Sequence, residues 1–169
     1  MRRRAIHVMA ALLVMFLCVA IVTGNAEAAR EIQRDGRFIA YDDGTVLDTR
    51  TNLMWAARDN GFDISWQGAK SYCENYRGGG YTDWRMPSAL YELAGLYDAS
   101  KSQQADCNSS YQIHVATNLI HLTCFYPWAS ETRGSDDKTA GLNFTSGKRR
   151  WSPQSNVNSH RALPVRSGK

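Results

Sequence analysis

The sequence predicts an α+β fold, two helices packed on short antiparallel sheets, and three observations carry that expectation. Two stretches with apolar residues at helical spacing sit early in the chain, and a serine opens each of them. Short β-rich runs lie on either side of the pair. Gly-containing turn signals separate those runs at hairpin spacing. A chain of 169 residues is long enough for one ordinary domain with a real core.

The first segment reads as an export signal. Met1-Arg2-Arg3-Arg4 is a basic start, "AIHVMAALLVMFLCVAIV" is an apolar run, and Ala26-Glu27-Ala28 has the small-x-small look of a cleavage site. The apolar run is short for a full membrane span. Residues 1–28 are therefore expected to be a signal peptide and 29–169 a single domain, periplasmic or extracellular. Once the signal is removed, no membrane attachment is expected.

The mature elements follow in order. "RFIAY" and "TVLD" flank Asp42-Asp43-Gly44, a hairpin signal because the turn needs positive φ. A turn over Thr49–Asn52 leads to "LMWA", a short buried strand. Ser65 caps the first helix, with Trp66, Ala69, Cys73 and Tyr76 on one face, and Gly78-Gly79-Gly80 ends it. "YTDWRM" is extended, because Pro87 disfavours helical angles at Met86. Ser88 is expected to cap a second helix with Leu90, Leu93, Ala94 and Tyr97 buried. Asp83 and Arg85 read as a structural ion pair, with each other or with neighbouring backbone.

Residues 99–124 read as a long polar loop, then strands return. "FYPWASE" precedes the polar turn "TRGSDD", and "KTAGLNF" and "KRRW" flank Thr145-Ser146-Gly147. "RALPVR" is a last strand, with Pro164 suited to an edge. Trp55, Trp66, Trp84 and Trp128 are expected in the core, where a small sheet domain uses them for bulk.

Export favours disulfides. Cys107 and Cys124 bracket the loop, and a bridge there closes 17 residues, worth roughly 3 kcal/mol. Cys73 is then left over. Its place on an apolar helix face reads as a buried free thiol, and an interchain bridge is the sharper alternative.

Charge is uneven. Arg30–Ser100 holds 8 Lys+Arg and 11 Asp+Glu, a net of −3, whereas Lys101–Lys169 holds 9 and 4, a net of +5. This is not the basic footprint of a nucleic-acid binder, but it suits an anionic glycan or an acidic partner. The densest cluster is Lys148-Arg149-Arg150-Trp151. On a strand, Lys148 and Arg150 share one face, and Arg149 and Trp151 the other. Arginine forks suit sulfate or carboxylate, and a Trp ring can stack on a sugar. Lys138 and Arg133 extend the patch as ligand-binding candidates. The competing reading is a solvated face with Trp151 in the core.

Catalytic patterns are missing. There is no G-x-S-x-G elbow and no phosphate-cradling glycine motif. His114 and His121 lack cysteine or carboxylate partners at metal-site spacing, and His160 stands alone. "DDGT" and "GSDD" read as turns better than as calcium loops. No catalytic residue, metal or cofactor is expected.

Several stretches together resemble one family: "RFIAYDDGTVLDTRTNLMWAARDNG", "SWQGAKSYCENYRGGGYTDWRMPSALYELAGLYD", "PWASE", "AGLNFTSGKRRW" and "RALPVR". Their order and spacing resemble the Lcl C-terminal domain, named after the legionella collagen-like adhesin, over about residues 37 to 166. The resemblance implies a C-type-lectin-like fold related to the formylglycine-generating enzymes and, for the namesake adhesin, binding of sulfated polysaccharide. Members often carry a cysteine just before the terminal Val-Arg, where this chain has Pro164. The resemblance thus implies that Cys73 has lost its partner. No collagen-like Gly-X-Y tract precedes the domain, so the adhesin's trimer is not carried over. The functional expectation is an exported, non-catalytic module for anionic or sulfated polysaccharide or another surface ligand. The alternatives are a structural or protein-interaction module of the envelope and an oxidase of the formylglycine-generating type.

Overall fold

The computed structural model describes residues 28–134 and 137–168. Of the expected signal peptide, residues 1–28, all but Ala28 lie outside the described residues. Among the described residues, no helix is long and apolar enough to cross a membrane.

Two sheets carry most of the regular structure. The first has five strands in the order β1-β2-β3-β4-β11, all antiparallel: β1 Glu31–Asp35, β2 Phe38–Tyr41, β3 Thr45–Asp48, β4 Leu53–Ala56 and β11 Val165–Ser167. The second has the order β10-β7-β8-β9, built from β7 Tyr126–Arg133, β8 Lys138–Asn143, β9 Lys148–Pro153 and β10 His160–Arg161. Here β10 runs parallel to β7, and the other pairs are antiparallel. A two-residue pair, β5 Gln103–Gln104 with β6 Gln112–Ile113, ties the intervening loop.

The turn chemistry places the hairpins. Gly44 takes φ 79° between β2 and β3, and Gly147 takes φ 68° between β8 and β9. Either angle disfavours a residue with a Cβ. In the second hairpin the Asn143 side-chain amide oxygen accepts from the Thr145 N–H and hydroxyl, closing the loop from within.

The helix α1 spans Trp66–Asn75, and the Ser65 side chain accepts from the Gly68 N–H at 3.3 Å. Its inner face, Ala69 and Cys73, packs with Met86, Trp128 and Ala162 in a small second core. The main core draws on both sheets: Val46, Trp55 and Val165 from one, Ala129, Ala140 and Leu142 from the other.

The second helix does not form, which corrects the expected pair of helices packed on sheets. The regular structure is mostly strand, with α1 as the single α-helix among the described residues. Between Ser88 and Tyr97 it makes turns and one 3-10 segment, Leu93–Leu96. The first donors are capped by side chains, and the later ones step out of helical register. The Ser88 N–H donates to the Glu92 carboxylate at 2.7 Å, and the Ala89 N–H donates to Glu131 at 2.8 Å. The Leu93 N–H reaches the Ser88 carbonyl, five residues back, and the Gly95 N–H reaches Glu92, three back. No run of four-residue bonds is left to propagate. Leu93 and Leu96 fill the core, while Leu90 stays 48% exposed.

Two further corrections concern the later chain. The segment 99–124 is more than a polar loop, because Ile113, Val115, Ile120 and Leu122 are buried in the main core. "RALPVR" splits between β10 and β11, and Pro164 lies between them with its carbonyl accepting from the Ala56 N–H at 3.0 Å. The structural ion pair at 83–85 has other partners than expected. Asp83 accepts from the buried Arg166 at 2.6 Å, and Arg85 holds Glu92 at 2.5 Å.

Candidate functional site

Strand β9 is one edge of the four-stranded sheet, and its sequence suits an edge. Lys148, Arg149 and Arg150 are exposed, and charge on an outer strand discourages pairing with a foreign sheet. Ser152 is buried and anchors the strand's far end opposite Thr139.

Register distributes the predicted binding residues over two faces. Trp151 stands opposite Ala140 and Arg149 opposite Leu142, so these two look toward the rim of the main core. Lys138 pairs with Arg133 and lies two residues before Ala140, which puts both on that same face. Arg150, opposite Gly141, and Lys148, opposite Asn143, point the other way. The alternation expected within β9 is present. The single patch of six residues is not: four share one face and two the other.

Aromatic rings back both faces. On the first, Arg149 lies 5.0 Å and Arg133 6.0 Å from the Trp151 ring centre. Trp151 is half-buried against the main core, so it acts both as core and as a platform for the two guanidinium groups. On the second, Arg150 lies 4.8 Å from the Tyr126 ring centre and donates to its hydroxyl at 2.8 Å. Tyr126 stacks on His160 at 5.3 Å, and His160 stacks on Trp128 at 3.9 Å. Sequence reasoning missed this column. Its signal was Tyr126 and Trp128 two apart in a strand; the distant His160 joins only because β10 pairs with β7.

Four of the hairpin's cations, Lys138, Lys148, Arg149 and Arg150, have no carboxylate partner among the described residues. Elsewhere arginines are tied: Arg37 to Asp48, Arg161 to Asp63 and Arg166 to Asp83.

The three described histidines hold structural posts. His114 Nδ1 is 2.7 Å from the Lys101 carbonyl, and His121 Nε2 is 2.8 Å from Asp106. Burial pushes the His160 imidazole down to about 4, and its Nδ1 pairs with the Asn158 carbonyl. Among the described residues, no three of His, Cys, Asp and Glu gather as metal ligands. Cys107 and Cys124 form a disulfide, as their spacing predicted. Cys73 is free and fully buried, and burial raises its thiol pKa to about 12.

One buried polar cluster has the composition of an acid–base site. Asp59 accepts from the Thr123 N–H at 2.7 Å and hydroxyl at 2.9 Å, and from the Gly61 N–H at 2.9 Å. Arg161 Nε donates to the same hydroxyl at 2.7 Å. Burial raises the Asp59 pKa against those bonds. The donors saturate the carboxylate, and the cluster ties the loop before α1 to the disulfide and to β10.

The sequence profile of the Lcl C-terminal domain matches residues 44–166, from the turn before β3 to the middle of β11. The chain belongs to the Lcl C-terminal domain family. All six residues of the basic hairpin fall inside the match, whereas β1 and β2 precede it. The Lcl C-terminal domain is an adhesin-associated domain, consistent with a binding module. No curated protein matches this chain.

Proposed function

We propose that this Lcl domain is an exported, non-catalytic module that holds anionic polysaccharide, sulfated polymers above all, on its β8–β9 hairpin. One observation carries the reading: Lys148, Arg149 and Arg150 stand exposed on an edge strand, with no carboxylate partner among the described residues and with aromatic rings behind both arginines. Guanidinium forks bind sulfate and carboxylate in bidentate fashion, and rings that fix the forks lower the entropy cost of doing so. With two basic faces, the strand can meet an extended polyanion from either side. The disulfide and the apolar amino-terminal run support export.

Heparin-like polymer is the test probe. Binding should weaken steeply as salt rises. Replacing Lys148, Arg149 and Arg150 together by serine should abolish it, and unchanged binding by that variant ends the reading. An envelope module linked through Cys73 has no support, since the thiol is 0% exposed beneath α1.

A further inference from the structure

A groove of about 260 Å³ lies between α1 and the sheet, lined by Trp66, Lys70, Glu74, Arg85, Met86 and Ser130 and by none of the predicted hairpin residues. Trp66, Lys70 and Glu74 recur every four residues along one stripe of α1. Arg85 and Met86 come from the extended segment after the glycine turn. Ser130 sits where the β7–β8 register shifts, and its N–H donates to the Pro87 carbonyl at 2.8 Å. Bulges of this kind often stand beside binding sites.

Trp66 was expected in the core with the other early tryptophans. Trp55, Trp84 and Trp128 are buried, but Trp66 is only half-buried. One part of it packs on the small second core, and another part opens into the groove. Its Nε1 donates to the Ala129 carbonyl at 2.8 Å, so the ring is fixed before any ligand arrives. The Met86 side chain completes an apolar floor.

The rim is polar and electrically balanced. Lys70 lies 3.9 Å from Glu74, and Arg85 is held by Glu92. Two cations thus face two carboxylates, and an anion gains nothing here that it would not gain better at the hairpin. Lys70, Arg85 and the Ser130 hydroxyl supply donors; Glu74 and the same hydroxyl supply acceptors. A fixed aromatic plane below donors and acceptors of both kinds, in a space for about one ring, matches a sugar with an apolar face and equatorial hydroxyls.

We infer that this groove is a second binding site, for a single uncharged pyranose unit stacked on Trp66. The site is independent of the basic hairpin and of its proposed ligand.

The intact protein should be titrated with a panel of uncharged methyl pyranosides while the tryptophan indole N–H resonances are followed by NMR. The expected result is that one or more pyranosides shift the Trp66 resonance and that raising salt leaves the shift unchanged. Exchanging Lys70 and Glu74 for alanine, both on the helix surface, should weaken that binding by about tenfold. Trp66→Phe should weaken it as well and identifies the resonance. The K148S/R149S/R150S variant should bind the pyranoside normally. The inference is overturned if no pyranoside moves Trp66, if only sulfated saccharides do so in a salt-dependent way, or if a peptide with an apolar side chain fills the groove and no sugar does. Loss of the sugar signal in the hairpin variant also overturns it, because the two sites would then be one.

Discussion

The imidazole of His160 lies flat on the indole of Trp128, ring centres 3.9 Å apart and planes tilted by 23°. Both residues are almost wholly buried, and burial moves the imidazole from 6.5 to about 4. Between those values the unfolded chain binds a proton that the folded chain refuses. Stability should therefore fall as pH drops from 6.5 toward 4, by up to about 3 kcal/mol, and this contribution should level off below 4. Glu92 adds to the loss only further down, since burial works against its carboxylate but Arg85 and Ser88 outweigh it and hold its pKa below 4.5. Denaturant midpoints measured across the range test this. His160→Gln should flatten the slope, and an unchanged slope assigns it elsewhere.

Reducing the bridge between Cys107 and Cys124 frees a span of 17 residues that contributes Ile113, Val115, Ile120 and Leu122 to the core. The C107S/C124S variant should lose roughly 3 kcal/mol and melt at lower temperature. Equal melting curves for oxidised and reduced protein contradict that estimate.

Cys73 should be silent toward alkylating reagents in the native protein. Its thiol is 0% exposed with a pKa of about 12, so little thiolate exists at neutral pH. Peptide mapping after labelling should find Cys73 modified only when denaturant is present. Rapid native labelling speaks against the packing of α1 described above.

Gly141 stands opposite Trp128 where β8 pairs with β7, and a Cβ there would come within 2.8 Å of the Pro127 carbonyl oxygen. That neighbour is backbone and has little room to give. Gly141→Ala should cost about 1–3 kcal/mol through overpacking. Gly95→Ala is the control, because nothing lies within 4 Å of a Cβ at that position.

Arg149 and Arg150 point to opposite faces, so their contributions to heparin binding should be separable. A polymer that lies on one face loses affinity with one of the single serine variants and tolerates the other. A polymer that wraps the edge loses affinity with each, roughly additively. Binding to immobilised heparin-like polymer at fixed salt distinguishes the cases. Full tolerance of both single variants removes the arginines from the site.

Local chemistry was legible where it acts over a few residues. Asp-Gly and Ser-Gly marked the hairpins at Gly44 and Gly147, and Ser65 marked the start of α1. Alternation within β9 was readable because a strand imposes it regardless of neighbours. The stretch from Ser88 to Tyr97 misled, since its apolar spacing fits a helix. Beyond the first turn its bonds run five and three residues back instead of four, and the carboxylate that holds the Ala89 N–H belongs to Glu131, 42 residues away, so periodicity carries no trace of it.

The candidate sites divide in the same way. Composition singled out the Lys-Arg-Arg-Trp run, and the expected export together with the positions of the cysteines singled out the disulfide. Sheet register, which is a long-range property, decided that Arg133 and Lys138 join Arg149 and leave Arg150 to Tyr126. Likewise, the sequence assigned Trp66 and Trp55 alike to the core, Trp66 on the apolar face of a helix and Trp55 in a buried strand. Only the packing of α1 against β7 left one indole half open to solvent and sealed the other, because burial depends on what the rest of the chain brings to each ring.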